Sequence, residues 1–169
     1  MLSMSTIQSL EVPGGSGSET VRDNQLWIYL STCWSMLWAG GLLGVSFIAA
    51  PAKFWAPSLS LPVALDVGRQ TFQFFNKLEV VALVILLILV FRATVNPLTR
   101  GMAVLIGLLL LYQTLWLLPM LDQRVSIVLE GQTPPESRLH LVYIACDVWR
   151  FLLLVSITWR CREIPTIHT

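Results

Sequence analysis

The chain has 169 residues, 55% of them hydrophobic and 12% charged, with a formal net charge of +1; soluble domains carry roughly 25% charged residues. A water-soluble fold of this size could not hide so much apolar surface, so one polytopic membrane domain accounts for nearly the whole chain. Lys and Arg are scattered singly and form no basic face, which leaves no case for a nucleic-acid partner.

Residues 1–24 are polar, contain Pro13-Gly14-Gly15-Ser16-Gly17-Ser18, and show no periodic apolar pattern, which predicts a flexible tail. Glu11, Glu19 and Asp23 stand where a cleaved signal would be basic, so the first span is expected to stay in the mature protein. That span, Leu26 to Ala50, carries no charge, with Trp27 and Tyr29 placed for the bilayer interface. Gly40 and Gly44 have GxxxG spacing. Internal packing within the bundle is the plainer reading of them, and self-association the sharper one. Pro51 ends the span, and Lys53-Phe54-Trp55 reads as an interfacial anchor.

Ser60-Leu61-Pro62 reads as a helix start with proline in the first turn. Nothing breaks a helix from there to Asn96-Pro97, a stretch longer than one crossing needs. It predicts an amphipathic lead-in over Pro62 to Phe75, continuing into a second span from Asn76 to Phe91. The turn Asn96-Pro97 with Thr99-Arg100-Gly101 is short, so spans two and three are expected to be antiparallel neighbours. Span three, Met102 to Leu118, is almost wholly apolar apart from Tyr112 and Gln113, and Pro119 is expected to kink or close it. Asp122 to Leu129 is read as a short surface helix ending at Gly131, and Ser137 as the N-cap of the last helix, whose span runs from Leu139 to Trp159. The expected fold is all-α: a four-helix transmembrane bundle over residues 25–160, with tails at 1–24 and 161–169. Five arginines (Arg22, Arg92, Arg100, Arg160 and Arg162) fall on the side of the termini, against Lys53, Arg69, Arg124 and Arg138 on the other, which tips both termini toward the cytoplasm.

Charges inside a span are expensive, about 2.5–3.5 kcal/mol each at the bilayer centre on insertion scales, and they mark either paired structure or function. On the last helix His140, Asp147 and Arg150 fall within roughly 80° of one another at 100° per residue, with Tyr143 between them. Arg69, Gln73, Asn76 and Glu79 form a second stripe on helix two, with Lys77 at its edge. Both helices begin at the same membrane face, so Glu79 is expected to reach Arg150. The predicted intramembrane cluster is Arg69, Asn76, Lys77, Glu79, His140, Tyr143, Asp147 and Arg150.

Three readings of this cluster stand side by side. The first is an ion-pair clamp between helices. The second is a polar cavity that holds a small solute or relays protons. The third is a hard-cation site on His140, Asp147 and Glu79, disfavoured by the crowding basic residues. Cys33, Cys146 and Cys161 lack metal-ligand spacing and read as small apolar residues. A bis-histidine haem site would need His168 to fold back from the tail, which argues against that cofactor. No nucleophile-base order is visible, so the expectation is a non-enzyme with no cofactor.

The first half, Trp38-Ala39-Gly40-Gly41 through Phe47, Ala50-Pro51, Phe54 and Val67-Gly68-Arg69-Gln70-Thr71-Phe72, resembles uncharacterised bacterial four-span membrane proteins distantly related to transmembrane protein 205. The second half, Leu118-Pro119-Met120-Leu121-Asp122-Gln123-Arg124, Gly131, Pro135, Ser137 and His140-Leu141-Val142-Tyr143, is similar to bacterial membrane proteins in which an acid and a base follow the histidine, the places of Asp147 and Arg150. The resemblance implies a four-helix integral membrane protein and supplies no activity; the expected location is the cell's inner membrane. The functional expectation is an accessory or assembly-associated membrane subunit; the alternative is a small-solute or proton-linked carrier using the polar cluster. Internal repeats of the kind common in transporters are absent from residues 26–95 and 102–159, which favours the accessory role.

Overall fold

A computed structural model describes residues 16–162. The protein is an all-α four-helix bundle whose helices are each long and apolar enough to cross a membrane. Helix α1 covers Ser16–Leu42 and runs on through a widened turn, Leu43–Ala49, to a 3-10 turn at Lys53–Trp55. Helix α2 covers Leu61–Arg92 and α3 Pro97–Tyr112. A second widened turn, Gln113–Leu117, carries α3 into α4, Leu118–Leu129, and α5 is Leu139–Arg162.

Local chemistry sets these limits. Pro62 occupies the first turn of α2, where its missing N–H would be unsatisfied in any case, and Ala64 N–H donates to Ser60 O at 2.9 Å. Asn96 caps α3 by accepting from Leu98 N at 2.9 Å, and Ser137 Oγ accepts from Leu139 N at 3.1 Å at the head of α5. At the end of α4, Gln132 N–H reaches Ile127 O and Gly131 N–H reaches Val128 O, both at 3.0 Å. This paired closure needs a residue with positive φ, and Gly131 supplies it at +79°. The α2–α3 turn is short, and the two helices are antiparallel neighbours as the sequence implied.

Helix α1 packs against α2 and α5, and α3 against the same two, so α2 and α5 face each other across the bundle. Trp38, Leu86, Val90, Ile106, Leu110, Leu154 and Ile157 fill the space between. Outside, Leu37, Val81, Leu108, Leu115, Trp149 and Trp159 are exposed, while Ser31, Ser35, Glu79, Gln113, Asp147 and Arg150 are buried. Apolar groups outside and charges inside invert the order of a water-soluble domain, and they match a chain solvated by lipid.

Four sequence expectations are corrected. Residues 16–24 are the opening turns of α1 and not tail: Asp23 accepts from Trp27 Nε1 at 3.1 Å and Asn24 Oδ1 from Thr94 N at 2.6 Å. The rest of the two tails, residues 1–15 and 163–169, lies outside the described residues, while Cys161 and Arg162 belong to α5. The segment after Pro119 is not a separate surface helix. The widened turn lets Leu118 N–H reach back five residues to Gln113 O, which relieves the clash a proline ring makes with the turn before it, so α4 continues the third rod. Gly40 and Gly44 do not pack internally, since a Cβ at either would meet nothing within 4 Å. Cys146 and Cys161 are buried as expected, but Cys33 is exposed.

Rod length decides where space is left. Residues Glu19–Trp55, Leu61–Arg92 and Pro97–Leu129 span 37, 32 and 33 residues against 24 for α5. At 1.5 Å per residue that is roughly 48–55 Å against about 36 Å. The Arg150–Glu79 contact sets the two helices in register: α2 runs 13 residues beyond Glu79 to Arg92 and α5 runs 12 beyond Arg150 to Arg162, so their ends are level at that face. The shortfall of α5 therefore lies at the opposite face, where α1 and α4 end and α2 begins.

Candidate functional site

At the centre of the bundle Arg150 Nη1 meets Glu79 Oε1 at 2.7 Å, and Arg150 Nη2 meets Asp147 Oδ1 at 2.5 Å. All three residues are 1% exposed. The i, i+3 spacing places Asp147 and Arg150 on one face of α5, and the length of the arginine side chain carries its guanidinium across the bundle to α2. Two neighbours complete the cluster. Trp38 Nε1 donates to Glu79 Oε1 at 3.2 Å from α1, and Gln113 Nε2 donates to Asp147 Oδ1 at 2.8 Å and Tyr143 O at 3.2 Å. All four spans thus converge on one buried network.

That network holds two carboxylates and one guanidinium, and among the described residues Glu79 Oε2 and Arg150 Nε have no hydrogen-bond partner. A buried charge costs several kcal/mol unless paired, so the triad is stable only as a unit. Gln113 owes its aim to the widened turn that begins with it: Gln113 serves α5, while the next residue, Thr114, exchanges hydrogen bonds with Asn76 of α2 at 2.9 and 3.2 Å. Such widened turns recur at functional positions in helices.

Of the residues singled out from sequence, Glu79, Asp147 and Arg150 are brought together, with Tyr143 buried beside them and its ring edge-on to Phe72 at 5.3 Å. Asn76 is buried but turns to Thr114. Arg69 does not join the triad: ten residues from Glu79, it lies about 15 Å along the helix axis. Its partner is Asp122 of α4, bonded from Nη2 at 3.0 Å, with Ser126 at 3.3 Å, and Gln73 donates to the same aspartate at 2.9 Å. Lys77 is exposed and is no part of the cluster, because it sits about 160° round α2 from Glu79. His140 is also exposed and makes no hydrogen bond or ion pair with the triad; among the described residues no three of His, Cys, Asp and Glu gather as a metal-ligand set, His140, Asp147 and Glu79 included.

Over the short end of α5 lies a cavity of about 660 Å³. Its walls come from the end of the first rod (Phe47, Phe54), from α2 (Leu65, Phe72) and from α4 (Leu121, Val125), and at its inner end it reaches His140, Tyr143 and Asp147. A volume of this size falls within the range of about 300–1,000 Å³ usual for small-molecule sites, which are mostly apolar with a few placed polar groups.

Comparison with protein-family models, with curated proteins and with solved structures finds no match for this chain. The site therefore rests on its own geometry.

Trp38, Gln113, Thr114 and Asp122 are the participants that the stripes on α2 and α5 did not contain. Gln113 carried a signal, as one of three polar residues, Tyr112, Gln113 and Thr114, in an otherwise apolar span. Asp122 was hidden by reading Pro119 as the end of the helix; extended through the proline, α4 runs antiparallel to α2 and meets Arg69. Trp38 carried none, since tryptophan is at home in an apolar span whether or not its N–H is used.

Proposed function

We propose that this multi-pass membrane protein is a non-catalytic binder or carrier of a small solute, held in the cavity over the short end of α5, and that the Glu79–Arg150–Asp147 triad clamps the helices beneath it. The observation that carries this reading is the 660 Å³ cavity reaching Asp147, which a purely packing role does not require. It moves the balance from the accessory subunit favoured by the sequence to the carrier that was its alternative. We further propose that the protein is kin to the bacterial four-span proteins it resembles, and that it sits in the inner membrane with both termini cytoplasmic. The thin excess of arginines on the side of the termini supports that orientation.

The test is a thermal-shift screen of small solutes on purified protein, run beside Val125→Trp, which places an indole in the cavity. A bound solute at 100 times its Kd stabilises by about 2.7 kcal/mol. Wild-type protein is expected to show such a shift with at least one solute, and Val125→Trp to lose it. Identical responses of both proteins to every compound, with stoichiometric subunits co-purifying after gentle extraction, would restore the accessory role. For orientation, cysteines placed at Ser58 and Gln132 should react with a membrane-impermeant maleimide added outside, and one at Asn96 should not.

A further inference from the structure

The charged groups lining the cavity are almost all committed. Asp147 is held by Arg150 and Gln113, Asp122 by Arg69 and Gln73, and Arg124 donates to Pro135 O. Lys53 is the exception: among the described residues its ammonium has neither a carboxylate within ion-pairing distance nor a hydrogen bond, whereas Arg124, which also lacks a carboxylate, is held by that carbonyl. Its Nζ lies 5.1 Å from the Phe54 ring and 5.7 Å from the Phe72 ring, contacts that hold a cation weakly by the ring faces.

The backbone has been shaped around that ammonium. A Cβ built at Gly68 would stand 1.8 Å from Lys53 Nζ and 3.2 Å from Cε, so the absence of a side chain at 68 is what gives the lysine its place in the cavity wall. Gly68 is helical and its φ is unexceptional, so backbone freedom is not its purpose; close approach is. A lysine built into an apolar cavity without a counter-charge presents one positive charge beside aromatic and aliphatic walls. The complementary ligand is one negative head on an apolar body.

We infer that the cavity binds a single-chain amphiphilic monoanion, a long-chain carboxylate, with its head on Lys53 Nζ and its chain against Phe47, Leu65, Phe72, Leu121 and Val125. Charge complementarity selects the head, since Lys53 carries the lining charge that neither a carboxylate nor a hydrogen-bonded carbonyl holds. Volume selects one chain, since a two-chain phospholipid exceeds the upper end of the range usual for such sites. This assignment rests on the binding role proposed above and names its ligand class.

The test is photolabelling of the full-length protein in phosphatidylcholine nanodiscs with hexadecanoate bearing a mid-chain diazirine. Its methyl ester and the corresponding primary amine serve as controls, and mass spectrometry maps the labelled peptides. The carboxylate is expected to label residues 47–54 and 121–128 saturably, the amine not at all, and the ester at least tenfold less efficiently. Lys53→Gln should weaken carboxylate labelling roughly tenfold or more, as expected for loss of a charged hydrogen bond. Gly68→Ala keeps the charge but displaces the ammonium, whose flexible end can swing away without unfolding the helix, so it should show the same loss with near-normal melting. Equal, saturable cavity labelling by acid and ester, indifferent to Lys53→Gln, would overturn the anion assignment and leave a binding cavity standing. Cavity labelling by a diazirine phosphatidylglycerol in preference to the free acid would overturn the single-chain assignment. Labelling confined to outer residues such as Leu115 and Val81 with every probe would overturn both this inference and the binding role.

Discussion

Replacing Arg150 with methionine isolates the triad. The substitution preserves much of the side-chain volume but leaves Glu79 and Asp147, each 1% exposed, without their shared cation. It also removes the two contacts of 2.7 and 2.5 Å. Breaking a buried ion pair by deleting one partner costs about 3–5 kcal/mol. The remaining acids can take up protons in place of staying charged, so the lower end applies. At about 2–4 °C per kcal/mol for a chain of this length, melting should fall by roughly 6–12 °C. The informative comparison is the triple variant Glu79→Gln, Asp147→Asn, Arg150→Met. Trp38 Nε1 and Gln113 Nε2 keep acceptors at positions 79 and 147, no charge is left buried, and residues in one network are not additive. The triple variant should therefore recover at least half of the loss. The assay is thermal denaturation in detergent followed by intrinsic tryptophan fluorescence. Melting of Arg150→Met within about 2 °C of wild type, or a triple variant less stable than the single one, would refute the reasoning.

Two further perturbations separate buried from peripheral polarity. Gln113→Leu strips Asp147 and Tyr143 O of a donor in a site that is wholly enclosed, and the expected destabilisation is about 1–3 kcal/mol, read by the same melting assay. Asp122→Ala breaks the bridge to Arg69, whose partners are 24% and 29% exposed, so it should cost no more than about 1 kcal/mol and do so only at low salt. A larger loss for Asp122→Ala than for Gln113→Leu would reverse the ordering of the two sites.

How far the sequence reached can be judged residue by residue. The four spans were legible because lipid demands about 20 apolar residues per crossing and tolerates few charges, and the cap at Ser137 followed from backbone donors that need acceptors, whereas Asn96 was read only as part of a turn. The Glu79–Arg150 contact was legible for a related reason: two rare charges entering from one face at similar depth have little choice but each other. Depth also explains the failures. Arg69 and Lys77 share a stripe with Glu79 when angle is considered loosely, yet axial rise removes the first and the opposite helix face the second. The continuation of α3 through Pro119 could not be read, because proline normally ends or kinks a helix and the widened turn that absorbs it has no sequence signature. With that continuation hidden, Asp122 was misplaced. A cavity was among the readings of the cluster, but its place and its apolar walls were hidden, for they arise from the difference in length between α5 and the three longer rods around it.

The central claim is that this space is a binding site, and an X-ray structure of the protein with a bromine-labelled long-chain carboxylate tests it most directly. The anomalous signal should appear as one dominant peak between α2 and α4, within the walls formed by Phe72, Leu121 and Val125. Bromine peaks confined to the outer faces of the bundle, with α4 closed onto α2 and no space between them, would contradict the account.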